Sequence, residues 1–431
     1  MTDRRKSVWR TAAALFLSAF ALGCFWIVSN PQRPTPDAVL YEGIAANLAA
    51  GNGYSFDRAA PYRPEITRTP FVPALAAAVY MVIGRRPGAV LALNAVFVGL
   101  AVALGYLVAL RLFDDDRAAL VGAVMVILTP QVAGAANNVL TEAPAMLQVS
   151  LAAFLLLGWD DRKNGWTAPL HAALLGAVLA SLVLNRTTFV FTTLVAGAYV
   201  VSRALAGRWR SPRAWLAAFV FCAALGAPVL AWSARNASLG LPFSPAPVGA
   251  SASRVYDFGR YKEAVLDPDE RLPRANHRYF AHWKRPMGPD ELLALDRENR
   301  EWLEKWLAAH PGRMWESAPA RLLGLYSDFR ISVWPPWPAG YDRVMWPILA
   351  WVSRVLWLLS LAGFLLSIRR PWARAIWLVP IATVSIVHVL TVCNPRYVAP
   401  LLPLLVPYGG VAMVAAWRLV RRPFLTARRG I

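Results

Sequence analysis

An all-α polytopic membrane protein of about ten transmembrane helices is the fold class this sequence predicts, and three observations carry the prediction. Of the 431 residues, 57% are hydrophobic and only 16% charged, a balance outside the usual range of soluble domains. Apolar stretches of roughly 20 residues, the length that crosses about 30 Å of hydrocarbon, recur along nearly the whole chain. The arginines behind the formal charge of +20 gather in short segments between those stretches. In a soluble chain that charge would suggest nucleic acid; here topology accounts for it, and no nucleic-acid partner is expected.

The first stretch, from about 9 to 29, follows Arg4, Arg5 and Lys6. It is long, and no small-residue cleavage pattern follows it, so it reads as a retained first helix rather than a signal peptide. Further spans are read at about 88–111, 118–136, 142–159, 168–184, 187–202, 214–233, 344–367, 373–391 and 397–417. Phe71 to Gly84 is apolar but only 14 residues long, which suits an interfacial or re-entrant helix. Parity agrees with that choice. With ten spans and the N-terminus inside, the basic groups Arg203, Arg208, Arg210 and Arg213, then Arg369, Arg370 and Arg374, then Arg418, Arg421, Arg422, Arg428 and Arg429 all face the cytoplasm. An eleventh span would turn the later ones outward.

Of the 25 acidic residues, only Asp3, Asp114, Asp115, Asp116, Asp160 and Asp161 then lie inside, so the carboxylates available for chemistry are on the outer face. Two long outer segments result, about 30–87 and about 235–342. The second contains an amphipathic run, Asp290 to His310, whose Trp302, Leu303, Trp306 and Leu307 recur at helical spacing. Such a helix is expected on the bilayer surface or over the helix bundle. The chain therefore divides into an N-terminal membrane module (1–234), an outer region (235–342), and C-terminal helices with a basic tail (343–431). Cys24, Cys222 and Cys393 show no CxxC or Cys/His spacing, so neither a metal cluster nor a disulfide framework follows from them. No internal repeat marks an inverted-repeat transporter.

Candidate chemistry concentrates at the outer ends of the spans. Asp37, in Pro36-Asp37-Ala38-Val39-Leu40-Tyr41-Glu42, stands just beyond the first span, where a lipid headgroup arrives. Its carboxylate could act as general base to an acceptor hydroxyl, could hold a divalent cation such as Mg or Mn, or could simply cap the following helix. Arg63 and Arg68 follow, the latter opening Arg68-Thr69-Pro70-Phe71-Val72-Pro73. A guanidinium there suits a phosphodiester, although snorkelling toward anionic lipids would also place it at that depth. Glu142 and Arg186 fall at the outer ends of two further spans and could pair. Arg396 falls at the outer end of the last span, with His388 one to two turns deeper in the span before it. Asp37, Arg68, Glu142, Arg186 and Arg396 thus map to one face.

In sequence order these residues form a pattern. It runs through Asp37 and Tyr41 with Gly51-Asn52-Gly53-Tyr54, Arg68-Thr69-Pro70-Phe71-Val72-Pro73, Thr141-Glu142, and Leu184-Asn185-Arg186-Thr187. It ends with Trp232-Ser233-Ala234-Arg235-Asn236 and Arg396-Tyr397-Val398-Ala399-Pro400. The pattern resembles the bacterial GT-C glycosyltransferases of family 39, the protein O-mannosyltransferase and lipid A aminoarabinose transferase type. Two departures stand out. Asp37 is followed by Ala38, where the family often has a second acidic residue, and Asn394-Pro395 precedes the closing Arg-Tyr in place of an acidic residue.

The resemblance implies a GT-C bundle with interfacial helices in the first outer loop and a large outer loop between spans 7 and 8. It implies a polyprenyl-phosphate sugar as donor and a lipid, glycan or protein hydroxyl as acceptor, in the bacterial inner membrane with both termini cytoplasmic. On that expectation Asp37 is catalytic and Arg68, Arg186 and Arg396 bind the donor phosphate. Tyr41, Glu42, Arg63, Glu142 and His388 support them. Two other readings stand beside it: a second enzyme, an oligosaccharide or O-antigen ligase using a diphosphate-linked donor, and, in a different class, a lipid or glycan transporter without chemistry.

Overall fold

The computed structural model describes residues 3–29, 34–162, 166–261, 265–266, 270–327 and 341–427. Arg428 and Arg429 of the expected basic tail lie outside them. Among the described residues every regular element is a helix.

Among the described residues, eight helices are long and apolar enough to cross a membrane. They are α1 (Asp3–Ser29), α4 (Pro87–Phe113), α7 (Glu142–Leu157) with the short α8 (Trp159–Arg162) following it, α9 (Ala168–Asn185), α10 (Val190–Leu205) with the turn before it, α11 (Pro212–Ser238), α17 (Tyr341–Ser367) and α18 (Pro371–Leu390). A ninth crossing is a pair, Pro395–Leu405 and Pro407–Arg421, bent by 52°. Pro395, Pro400, Pro403 and Pro407 explain the bend, since each removes a backbone donor and crowds the preceding turn. The helix α3 (Phe71–Ile83) has 13 residues, about 20 Å, and stays too short to cross.

The expected third span, 118–136, is not one helix. It forms α5 (Asp116–Ile127) and α6 (Pro130–Ala135), separated at Leu128 and Thr129. Pro130 holds Thr129 extended (φ −74°, ψ 119°), and the Thr129 hydroxyl turns back to donate to the Met125 carbonyl at 2.8 Å. The ten expected spans are therefore eight continuous helices, one bent pair and one broken passage. That passage still runs the length of the bundle. Arg4 at the start of α1 pairs with Asp116 at 3.2 Å, whereas Asn94, near the opposite end of α4, donates to the Asn138 carbonyl at 2.9 Å.

The Asp116 end collects the basic segments: Arg418 pairs with Asp115 at 2.6 Å, and Arg370 donates to the Leu112 carbonyl at 2.8 Å. At the other end α2 (Pro36–Ala49) and α3 lie beneath an outer layer of α12 (Ala250–Arg260), α13 (Arg274–Phe280), α14 (Pro289–Ala309), the short α15 (Arg313–Glu316) and α16 (Ala318–Ser327). The α14 stripe packs within the outer layer itself. Leu303 and Trp306 are buried against Val255 and Phe258 of α12, with the Phe258 and Trp306 rings 4.7 Å apart.

Small residues set the approach of the last helices. The short α19 (Leu402–Leu405) leads into α20 (Pro407–Ala427), which crosses α17 where a Cβ on Gly363 would run into the Tyr408 carbonyl. Gly363→Ala is expected to cost about 1–3 kcal/mol through overpacking. Thermal unfolding in detergent reads it, and a midpoint equal to wild type would contradict the crossing.

Candidate active site

The start of α2 aims Asp37. Thr35, rather than Asp37, caps the helix: its hydroxyl accepts from the Ala38 amide at 3.2 Å, and Pro36 occupies the first helical position, where no donor is needed. Ala38, Tyr41 and Ala45 fix the roll of α2 by burying one face against Val72 and Ala76 of α3. The Asp37 carboxylate is left for other partners. Arg68 donates to its Oδ1 at 2.7 Å and Arg396 to its Oδ2 at 2.8 Å.

Arg396 reaches a second carboxylate. Its Nε donates to Glu142 Oε1 at 2.6 Å, and Arg186 Nη2 donates to the same oxygen at 2.6 Å. Glu142 opens α7 and Arg186 closes α9, so the pair joins two helix ends. The neighbouring Thr141 hydroxyl, instead of capping α7, accepts from Arg186 Nε at 2.7 Å. Tyr397 lies 5.2 Å from the Arg186 guanidinium. The five side chains form one chain of ion pairs, Arg68–Asp37–Arg396–Glu142–Arg186, drawn from α2, the loop between α2 and α3, two helix ends and the first turn of the last crossing.

The network is graded in exposure. Glu142 and Arg186 are 8% and 5% exposed, whereas Asp37 is 32% exposed, so a ligand meets the Asp37 edge first. A cavity of about 20 Å³ beside Glu142 and Arg396, lined also by Gln131 and Leu140, is too small for a sugar. Burial alone would raise the Asp37 carboxyl, but the Arg68 and Arg396 guanidiniums outweigh it and hold the group at about 2. Burial pushes the Tyr41 phenol up to about 12. Three guanidiniums face two carboxylates, leaving one positive charge in excess.

The remaining expected residues divide. Tyr41 packs beside the network, its ring 5.9 Å from the Arg68 guanidinium. His388 is buried and stacks on Tyr397 at 4.4 Å; its Nδ1 lies 2.7 Å from the Val392 carbonyl, and its Nε2 has no hydrogen-bond partner among the described residues. Arg63 does not join: its Nε donates to Asp57 at 2.9 Å, and its side chain is 43% exposed. Glu42 is half-buried elsewhere on α2, where the charge of Arg85 is felt, and burial raises its carboxyl.

Two buried pairs escaped the sequence reading. Glu65 accepts from the Ile66 and Thr67 amides and lies 2.7 Å from His282 Nε2. Because His282 Nδ1 accepts from the Met287 amide, Nε2 carries the proton toward Glu65. Burial would raise the Glu65 carboxyl, but these bonds hold it low. Asp257 and Arg321 are fully buried and pair at 2.8 Å. The position of Glu65, three residues before Arg68, was a usable signal; Asp257 and Arg321, far apart in sequence, offered none.

A divalent cation fits this donor set poorly. Both oxygens of Asp37 already accept from guanidiniums, as does Oε1 of Glu142, and among the described residues no group of three or more His, Cys, Asp or Glu side chains converges. A cation there would also meet three arginines.

Residues 67–232 match the family model described as dolichyl-phosphate-mannose-protein mannosyltransferase. That segment contains Arg68, Glu142 and Arg186, while Asp37 and Arg396 lie on either side of it. No curated protein matches the chain. Among solved structures, the chain is similar to ArnT from Cupriavidus metallidurans bound to undecaprenyl phosphate, at 16% identity and a TM-score of 0.42 over 94% of this chain and 78% of that one. It is also similar to the same protein in the apo state, at 15% identity and a TM-score of 0.40 over 96% and 78%.

Proposed function

We propose that the chain is a GT-C type membrane glycosyltransferase that moves one sugar from a polyprenyl-phosphate carrier to an acceptor hydroxyl, with inversion. The observation that carries the reading is Asp37 held between Arg68 and Arg396 at the exposed edge of a site with one excess positive charge. A phosphodiester donor carries one negative charge and would neutralise that excess. A diphosphate-linked donor carries two, so the charge count favours the monophosphate carrier over a ligase. The basic segments gather at the opposite end of the bundle, which supports a site on the outer face and both termini in the cytoplasm.

In the free protein Asp37, held at about 2, is a weak base. The donor phosphate draws Arg68 and Arg396 toward its own oxygens and frees the carboxylate. The acceptor oxygen then attacks the anomeric carbon as the bond from that carbon to the phosphate oxygen breaks. Asp37 takes the acceptor proton, and the polyprenyl phosphate leaves with its second negative charge against the arginines. No step needs a cation.

Radiolabelled polyprenyl-phosphate sugars, offered singly to the purified protein in lipid, test the reading. Wild type is expected to turn over at least one donor and Asp37→Asn, at equal folded yield, none. Failure of the wild type on every donor, with lipid still moved across liposomes, would replace the transferase by a transporter.

A further inference from the structure

We infer that the outer helical layer is a clamp that sets the positions of the two arginines flanking Asp37, with Asp257, Tyr261 and Arg321 as positioning residues for Arg396. The inference rests on the proposed role of Arg396 at the donor phosphate.

The geometry begins at Cys393, three residues before Arg396. Its amide donates to Asp257 Oδ1 at 2.8 Å, and its carbonyl accepts from the Tyr261 hydroxyl at 3.0 Å. Both polar groups of one peptide residue are therefore held by α12 and the residue that follows it. Arg321 of α16 completes the grip: Nε donates to Asp257 Oδ2 at 2.8 Å, and Nη2 reaches the Thr391 carbonyl at 3.4 Å. Asp257 and Arg321 are both 0% exposed, so neither can exchange its partner for water. Gly324 of α16 makes room, because a Cβ there would collide with the Tyr261 hydroxyl.

The same layer holds the other arginine. Glu65, three residues before Arg68, is bonded through its side chain to His282, which follows α13, while its carbonyl accepts from Arg235 at 2.8 Å. Each arginine that reaches Asp37 thus lies three residues from a buried anchor in the outer layer. A simple cover would need no buried charges, since desolvating an ion pair costs several kcal/mol per ion before its partner compensates. Placed here, the pairs fix two backbone segments whose guanidiniums must meet one carboxylate.

The test uses the full chain in lipid nanodiscs, with polyprenyl phosphate as the probe. Asp257→Asn, Tyr261→Phe and Gly324→Ala are compared with wild type for hydrogen exchange in the peptide covering 391–397 and for phosphate affinity. Asp257→Asn strands the buried Arg321 and is expected to loosen the fold, so Tyr261→Phe, which removes one hydroxyl and no charge, keeps the test decisive. Faster exchange confined to 391–397, with affinity reduced at least tenfold, supports the clamp. Faster exchange at unchanged affinity overturns it, because the segment would be held without Arg396 depending on it. Exchange and affinity both at the wild-type level overturn it as well. A wild type that binds no polyprenyl phosphate overturns the reading of the site, and the inference with it.

Discussion

Replacing Arg396 by glutamine is expected to lower sugar transfer about a hundred- to a thousandfold, the loss that follows removal of one preorganised donor to a developing anion. Arg396 spans Asp37 and Glu142 through two different nitrogens, so the change acts on both carboxylates. It also leaves two guanidiniums facing two carboxylates and removes the charge excess that attracts the donor. Arg396→Lys keeps the charge but cannot offer two donors at that separation, and its activity is expected to fall between the two. The ratio kcat/KM on the donor that wild type accepts decides the matter. A glutamine variant within a fewfold of wild type would remove Arg396 from the phosphate site.

Glu142→Gln is expected to act on folding. Glu142 is 8% exposed, and its Oε1 carries bonds from both Arg186 and Arg396, so the variant leaves the buried Arg186 guanidinium without a carboxylate, while Arg396 keeps Asp37. Removing one partner of a buried pair costs about 3–5 kcal/mol, a large share of any domain's stability. The double variant Glu142→Gln/Arg186→Gln removes the stranded charge together with its partner and is expected to unfold at a higher temperature than Glu142→Gln alone. Unfolding midpoints of the wild type and the variants give the answer. Equal midpoints for the single and double variants would mean that Glu142 does not balance Arg186.

Helix ends explain what the sequence could reveal. Asp37, Glu142, Arg186 and Arg396 each stand at the boundary of an apolar stretch, so hydropathy and parity together predict one face for all four. Lateral distance has no such marker, which is why Arg63 read like Arg68. Both are arginines of one outer loop, and only the fold brings Asp57 to Arg63. The break in the third passage was written at Thr129-Pro130, but continuous hydropathy on both sides concealed it. Asp257 and Arg321 meet only through packing of the outer layer, so no local pattern announces them.

The turn that bears Arg396 also orders the biosynthesis of the protein. Asp37 and Arg68 emerge from the ribosome early, and Arg396 comes at the start of the final crossing. A nascent chain threaded into the bilayer as far as α18 already holds the carboxylate and the first guanidinium, yet it lacks the bridge to Glu142. The chain of ion pairs is complete only once the bent last crossing, which begins at Pro395, has been made.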